Sequence, residues 1–297
     1  MACLRGREAA VLKSGGSSSS SSGGSGSGGS GTVDVFAGWL GHAASKQTSP
    51  LLAGAYAALS RNKTEGVDVY LLHKADRVEG KSQRVWTAGT RPRFALPGNV
   101  ADLTVEAAYQ FGQNNGRPIR AHAYSATLGR TLPGKSGVRL TLGHDFASGG
   151  PTSDSAGPIR TFDQLFASNH GHYGLGDYVG WRNMRDWRIG LRAKPSARWG
   201  LTLEAHRFQL ADGRDLWYGD GGRPVKGASG KNLQDPTGAA GRDLGWETDL
   251  VVTYTADKSV TLSGGYSRFQ PGAFVRHTNS GRADGSNWFY LQTNYNF

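Results

Sequence analysis

Residues 286–297 alternate with a period of two. Phe289, Leu291, Thr293, Tyr295 and Phe297 fall on one side; Tyr290, Gln292, Asn294 and Asn296 fall on the other. Successive side chains of a β-strand point to opposite faces, so this segment makes a strand with one aromatic, apolar face and one amide-rich face. Two settings stabilise such a strand. Its apolar face turns inward to the core of a soluble sandwich, or it turns outward to lipid while the polar face lines a wet lumen. An aromatic final residue is unusual at the frayed terminus of a soluble domain and suits the closing strand of a transmembrane barrel.

The same alternation recurs from Thr32 onward. It predicts an all-β, antiparallel chain with strands near 32–41, 51–61, 66–77, 83–95, 100–112, 118–131, 137–147, 187–195, 199–211, 244–255, 259–270 and 286–297. In one of them Leu103, Val105, Ala107, Tyr109 and Phe111 oppose Thr104, Glu106, Ala108, Gln110 and Gly112; in another Trp187, Ile189 and Leu191 oppose Arg188, Gly190 and Arg192. Turn residues such as Pro97-Gly98 and Pro133-Gly134 make every second connection short, and the others are long. Short turns on one side and long loops on the other are the asymmetry of an outer-membrane barrel, and the even strand number agrees. No run of eighteen apolar residues exists, which excludes a transmembrane helix but not a barrel, whose strands are half polar. A soluble secreted carbohydrate-binding protein or enzyme stays open as an alternative.

Residues 1–31 stand apart. Positions 14–31 are almost entirely Ser and Gly, too poor in apolar surface to order themselves, and residues 1–13 lack the apolar run and cleavage site of a signal peptide. The expected division is therefore a disordered segment, 1–31, and a β-barrel domain, 32–297. Cys3 is the single cysteine, so no disulfide framework and no cysteine-based metal site is expected. The net charge of +11 favours a polyanionic partner. The basic residues are spread along the strands instead of clustering, which argues against nucleic acid.

Several stretches resemble the alginate export outer-membrane proteins, porin-like barrels that pass an acidic exopolysaccharide. They are Val33-Asp-Val-Phe36, Gly66-Val-Asp-Val-Tyr-Leu-Leu72, Val105-Glu-Ala-Ala-Tyr-Gln-Phe-Gly112, Phe146-Ala-Ser-Gly149, Phe162-Asp-Gln-Leu-Phe166 with Asn169-His170, Gly180-Trp-Arg-Asn183, Leu244-Gly-Trp-Glu-Thr-Asp249 and Gly265-Tyr-Ser-Arg-Phe-Gln-Pro-Gly272. The resemblance covers about 32–297 and matches the C-terminal two thirds of the family barrel. Family members have roughly eighteen strands and a signal peptide, so it implies an N-terminally truncated version of a larger barrel. It implies the bacterial outer membrane, with outer-membrane lipid, an alginate-like acidic polysaccharide and periplasmic export components as partners. A porin of the same architecture with another anionic or sugar cargo is the alternative.

A lumen that passes an acidic polymer needs positive charge, spread so that no site holds too tightly. Arginine serves best because its guanidinium meets carboxylates with two parallel hydrogen bonds. The candidates are Arg91, Arg93, Arg139, Arg188, Arg192 and Lys194 on strands and Arg182 in the longest loop, with Asp102, Glu106, Glu247 and Asp249 as acidic partners that tune the field. No catalytic constellation, cofactor site or metal site is expected: His170-x-His172 lacks a third ligand by spacing, and the chain has no Gly-x-Ser-x-Gly or His-Glu-x-x-His motif. Most of the eight tryptophans and eleven tyrosines are expected at the lipid interfaces.

Overall fold

The computed structural model describes residues 29–39, 51–62, 64–78, 81–165 and 171–297. The expected disorder of 1–31 and the ligand candidate His170 therefore fall largely or wholly outside the described residues.

Twelve strands form one antiparallel sheet in sequence order. They are β1 (Ser30–Trp39), β2 (Leu51–Ser60), β3 (Gly66–Val78), β4 (Lys81–Ala95), β5 (Asp102–Asn114), β6 (Arg117–Thr131), β7 (Arg139–Ala147), β8 (Met184–Ala193), β9 (Trp199–Leu210), β10 (Asp243–Thr255), β11 (Val260–Pro271) and β12 (Ser286–Tyr295). Every pairing joins chain neighbours, so the connections are hairpins, and β1 and β12 form the two edges. Among the described residues, helix is confined to a 3-10 turn at Pro97–Asn99 and to α1 (Ala273–Thr278). Among the described residues no helix is long and apolar enough to cross a membrane.

The side-chain alternation decides between the two settings. Ile189, Trp246 and Leu142 are 63%, 53% and 51% exposed, while Asp186, His206 and Glu247 are 0% exposed. Apolar side chains face outward and charged ones inward, the reverse of a soluble sandwich and the arrangement of a lipid-embedded barrel wall. The register links these faces across strands: Trp187 lies opposite His144 and Arg207, and Asp186 opposite Asp145 and Phe208. A slip by one residue would turn the whole polar set to lipid, so the pattern itself fixes the register.

Strand β8 begins at Met184, three residues before the expected start. Met184, Arg185 and Asp186 continue the inward–outward alternation and pair with Ala147, Phe146 and Asp145. Strand β10 carries one register shift, between Asp243 and Gly245. Gly245 has φ of 130°, and a Cβ there would lie 2.1 Å from the carbonyl oxygen of Gln270, so only glycine fits.

The buried apolar cluster lies on the inner side of the sheet, toward the long loops. Phe162, Val179 and Trp181 from 148–183, Trp217 and Leu233 from 211–242, and Phe274 and Val275 of α1 pack on Val85, Ala121, Phe208 and Phe269 of the strands. The two longest loops fold inward and share a core with the wall.

Candidate functional site

The inner face carries a ladder of guanidiniums, of which Arg91, Arg93, Arg139 and Arg188 are set against carboxylates. Toward the short turns, Arg139 meets Asp102 through two hydrogen bonds of 2.8 and 2.7 Å. Arg192 lies directly opposite Arg139 in the β7–β8 register and is exposed. Lys194 follows in the adjoining turn, also exposed, its N–H donating to the Ser136 carbonyl at 2.8 Å. On β4, Arg93 Nη1 donates to both oxygens of Asp68 at 3.0 and 2.9 Å, and Arg91 Nε lies 4.0 Å from Glu106.

Two tyrosines orient those carboxylates. The Tyr56 hydroxyl donates to Asp68 at 2.7 Å and the Tyr70 hydroxyl to Glu106 at 2.8 Å, with the two rings stacked 5.9 Å apart. Gly89 leaves the space for Tyr70, because a Cβ there would lie 2.3 Å from the ring. Arg93 and Arg91 thus each face an acid already held by a phenol. Partly exposed pairs of this kind add at most about 1 kcal/mol each to stability. Their larger effect is to fix where the positive ends point.

Arg188 sits midway on β8 with its guanidinium inward. It donates to the His172 carbonyl at 2.9 Å and to Thr127 Oγ1 at 3.2 Å, and lies 3.7 Å from Asp145. Arg182 sits in the long loop, its guanidinium 4.4 Å from the centre of the Tyr218 ring. Asp102 and Glu106 therefore neighbour the expected arginines. Glu247 and Asp249 hold loop backbone instead: the N–H of Gly176 donates to Glu247 at 2.8 Å and that of Leu175 to Asp249 at 3.3 Å. Gly174 passes so close that a Cβ would lie 2.4 Å from Glu247 Oε1.

These contacts make 148–165 and 171–183 a plug across the inner face. At one end Lys74 on β3 pairs with Asp163 at 3.2 Å, and the Gln110 side chain on β5 hydrogen-bonds the backbone of Asp163. At the other end Tyr178 hydrogen-bonds Ser286 on β12 and stacks on Phe269 at 4.4 Å. The second loop braces the first through Asp215, which accepts hydrogen bonds from Gly150 N–H at 3.0 Å, Thr161 Oγ1 at 2.5 Å, Leu216 N–H at 2.7 Å and the Tyr218 hydroxyl at 3.1 Å. Burial pushes the Asp215 carboxyl above the usual range despite these four donors.

Sequence reasoning missed the groups beneath the plug. Asp186 and His206 are fully buried and joined at 2.8 Å, and His206 Nε2 lies 3.9 Å from Asp249. Alternation alone puts Asp145, Asp186 and His206 on the inner face, beside Arg188; what it could not give is the loop that covers them. Among the described residues no cluster of three or more His, Cys, Asp or Glu is placed to hold a metal ion. The inner face offers anions a wall of oriented guanidiniums.

In comparison with known proteins, the alginate export family matches residues 36–289. No curated protein matches the sequence. Among solved structures, a NanC porin aligns over 90% of this chain and 99% of its own, at 7% identity and a TM-score of 0.38, a likeness too low to carry an argument.

Proposed function

This chain belongs to the alginate export family, and we propose that it passes an acidic exopolysaccharide such as alginate along the arginines of its inner face. Family and sheet are those of a transport channel of the bacterial outer membrane, with apolar side chains outward and charged ones inward. The observation that carries the proposal is on β8. Arg188 and Arg192 point inward on the same strand whose Trp187 and Ile189 point outward, and Arg192 faces Arg139 across the β7–β8 pair. Asp102 already balances Arg139, while Arg192 has no carboxylate partner among the described residues, so the pair keeps one guanidinium open to an anion. They therefore form a receptive point for a uronate carboxylate near the short turns.

From there the polymer meets Arg188, Arg91 and Arg93. Each has a carboxylate within reach, which returns the guanidinium to its partner once the uronate moves on and keeps any one site from trapping it. The plug lies toward the long loops, so passage requires 148–183 to shift or the polymer to run beside it.

The test is block of single-channel current by oligouronates of increasing length, against neutral oligosaccharides of the same size. Stronger block by the uronates, growing with length, supports the proposal. Equal block by both series would favour a sugar porin without preference for acids.

A further inference from the structure

The outward face carries a second set of arginines that the transport path does not use. Arg84 on β4, Arg120 on β6, Arg185 on β8, Arg207 on β9 and Arg268 on β11 all lie within four residues of the strand end on the side of the sheet that carries the two longest loops, where β3–β4 and β5–β6 are joined by only two residues each. The register places them with the apolar face. Arg120 is opposite Phe111, Arg185 opposite Phe146, Arg207 between Trp187 and Trp246, and Arg84 one alternation from Trp86. Toward the short turns the strands put one arginine outward, Arg130, opposite Leu140.

Among the described residues, acidic side chains do not balance this belt. Strand carboxylates such as Asp68, Glu106, Asp145, Asp186 and Glu247 are buried on the inner side. Asp243, beside the register shift at Gly245, pairs with Arg207 at 2.8 Å. Arg268 is held by an amide, Asn287, at 2.9 Å. Arg84, Arg120 and Arg185 have no carboxylate partner among the described residues, and Arg185 Nε is buried without any hydrogen-bond acceptor.

Aromatic faces hold these guanidiniums in place. Arg185 lies 5.5 Å over the Phe146 ring and Arg207 4.6 Å over Trp246. His144 stacks on Trp187 at 4.1 Å and Trp86 on Phe111 at 6.4 Å, so the belt is a band of flat rings with cations between them. Beside it, a cleft of about 320 Å³ is lined by Arg84, Trp86, Gly112, Gln113, Gly116 and Pro118. Leu140, Leu142, Ile189 and Leu203 extend from the belt toward the short turns as an exposed apolar band.

A lipid-facing arginine costs little at the membrane interface and several kcal/mol at the midplane, and unpaired guanidiniums at the interface call for phosphate. The long loops mark the outer side, so the belt lies at the headgroups of the outer leaflet. We infer that it binds the phosphate groups of a phosphorylated glycolipid of lipid A type, whose acyl chains lie along the apolar band. This rests on the outer-membrane orientation and not on what the lumen carries.

The test is native mass spectrometry of the full chain in detergent with bisphosphorylated lipid A, its dephosphorylated form and phosphatidylglycerol. The wild type should retain lipid A over the dephosphorylated form by at least about tenfold, given the attraction of three or more free arginines for phosphate. It should also retain lipid A over phosphatidylglycerol. The triple variant Arg84→Gln, Arg120→Gln, Arg185→Gln should lose that preference, and Arg130→Gln should keep it. Equal retention of the two lipid A forms by the wild type overturns the inference whether or not the triple variant folds. Equal retention of phosphatidylglycerol, or a folded triple variant with the preference intact, overturns it as well. Conductance of the same samples reports on the channel reading separately.

Discussion

Gln110 and Asp163 are joined twice: the Gln110 amide donates to the Asp163 carbonyl at 2.6 Å, and its oxygen accepts the Asp163 N–H at 2.8 Å. A side-chain amide on the wall thus imitates one rung of a sheet and fixes the end of the plug to β5. Gln110→Ala should remove both bonds, leave two half-buried backbone groups without this partner and cost on the order of 1–3 kcal/mol in plug docking. Hydrogen exchange should rise at residues 160–165 while the strand amides stay protected. Unchanged protection at Asp163 would show that Lys74 and the apolar packing suffice to hold it.

The opposite end of the plug rests on Glu247 and Gly174. Glu247→Ala deprives the Gly176 N–H and the Ser267 hydroxyl of their acceptor, a loss of about 1–3 kcal/mol. Gly174→Ala places a Cβ against the Glu247 carboxylate in a backbone with φ of 82°. Both variants should raise the mean single-channel conductance and its fluctuations without shifting the melting of the sheet. Conductance equal to wild type in both would separate the plug from the ion path.

Two loop carboxylates should respond to pH in opposite directions. The Thr237 hydroxyl and the Ala240 N–H, each at 2.6 Å, hold the Asp235 carboxyl below the usual range. Its contribution is present above the ordinary aspartate value of about 4 and is lost as pH falls through the folded value. Burial raises Asp215, so its contribution is full below that ordinary value and is lost as pH rises through the folded one. Acidification from pH 6 should therefore release the amides of Thr237 and Ala240 while those of Gly150 and Leu216 gain protection. Parallel loss at all four would contradict the assignment of either carboxylate.

The two faces of the wall can be read by label. Cysteines introduced at Leu103, Val105 and Leu250 should report a lipid environment to spin or fluorescent probes, and those at Thr104 and Asp249 a lipid-free one. Adjacent positions 249 and 250 make the sharpest pair, since the period of two sends them to opposite sides. Quenching by lipid-borne quencher at 249 in place of 250 would invert the wall.

The wall was legible in the sequence because a half-polar strand states its own period. Leu103 to Phe111 and Trp187 to Leu191 announce their outward side, and turn residues at Pro97-Gly98 and Pro133-Gly134 announce the short connections. Arg188 and Arg192 could be assigned inward from the same alternation. What alternation cannot give is a contact across long sequence separation. Glu247 and Asp249 read as partners of arginines, but they hold Gly176 and Leu175. The inward fold of 148–183 depends on Phe162, Trp181 and Trp217 finding one another, and no local period encodes that. The start of β8 at Met184 was hidden for a related reason: its first residues read as loop until Ala147 and Phe146 supply partners.

The most direct measurement is the reversal potential of the full chain in a planar bilayer under a salt gradient, for wild type and for Arg188→Gln with Arg192→Gln. In a confined lumen each guanidinium should act on a passing anion by more than the roughly 1 kcal/mol expected at 4 Å in bulk water. The wild type should be anion-selective, and the double variant should lose at least about fivefold in anion-over-cation permeability, since about 1 kcal/mol is that factor. A cation-selective wild type, or a double variant that inserts normally and keeps its reversal potential, would contradict an arginine-lined path for an acidic polymer.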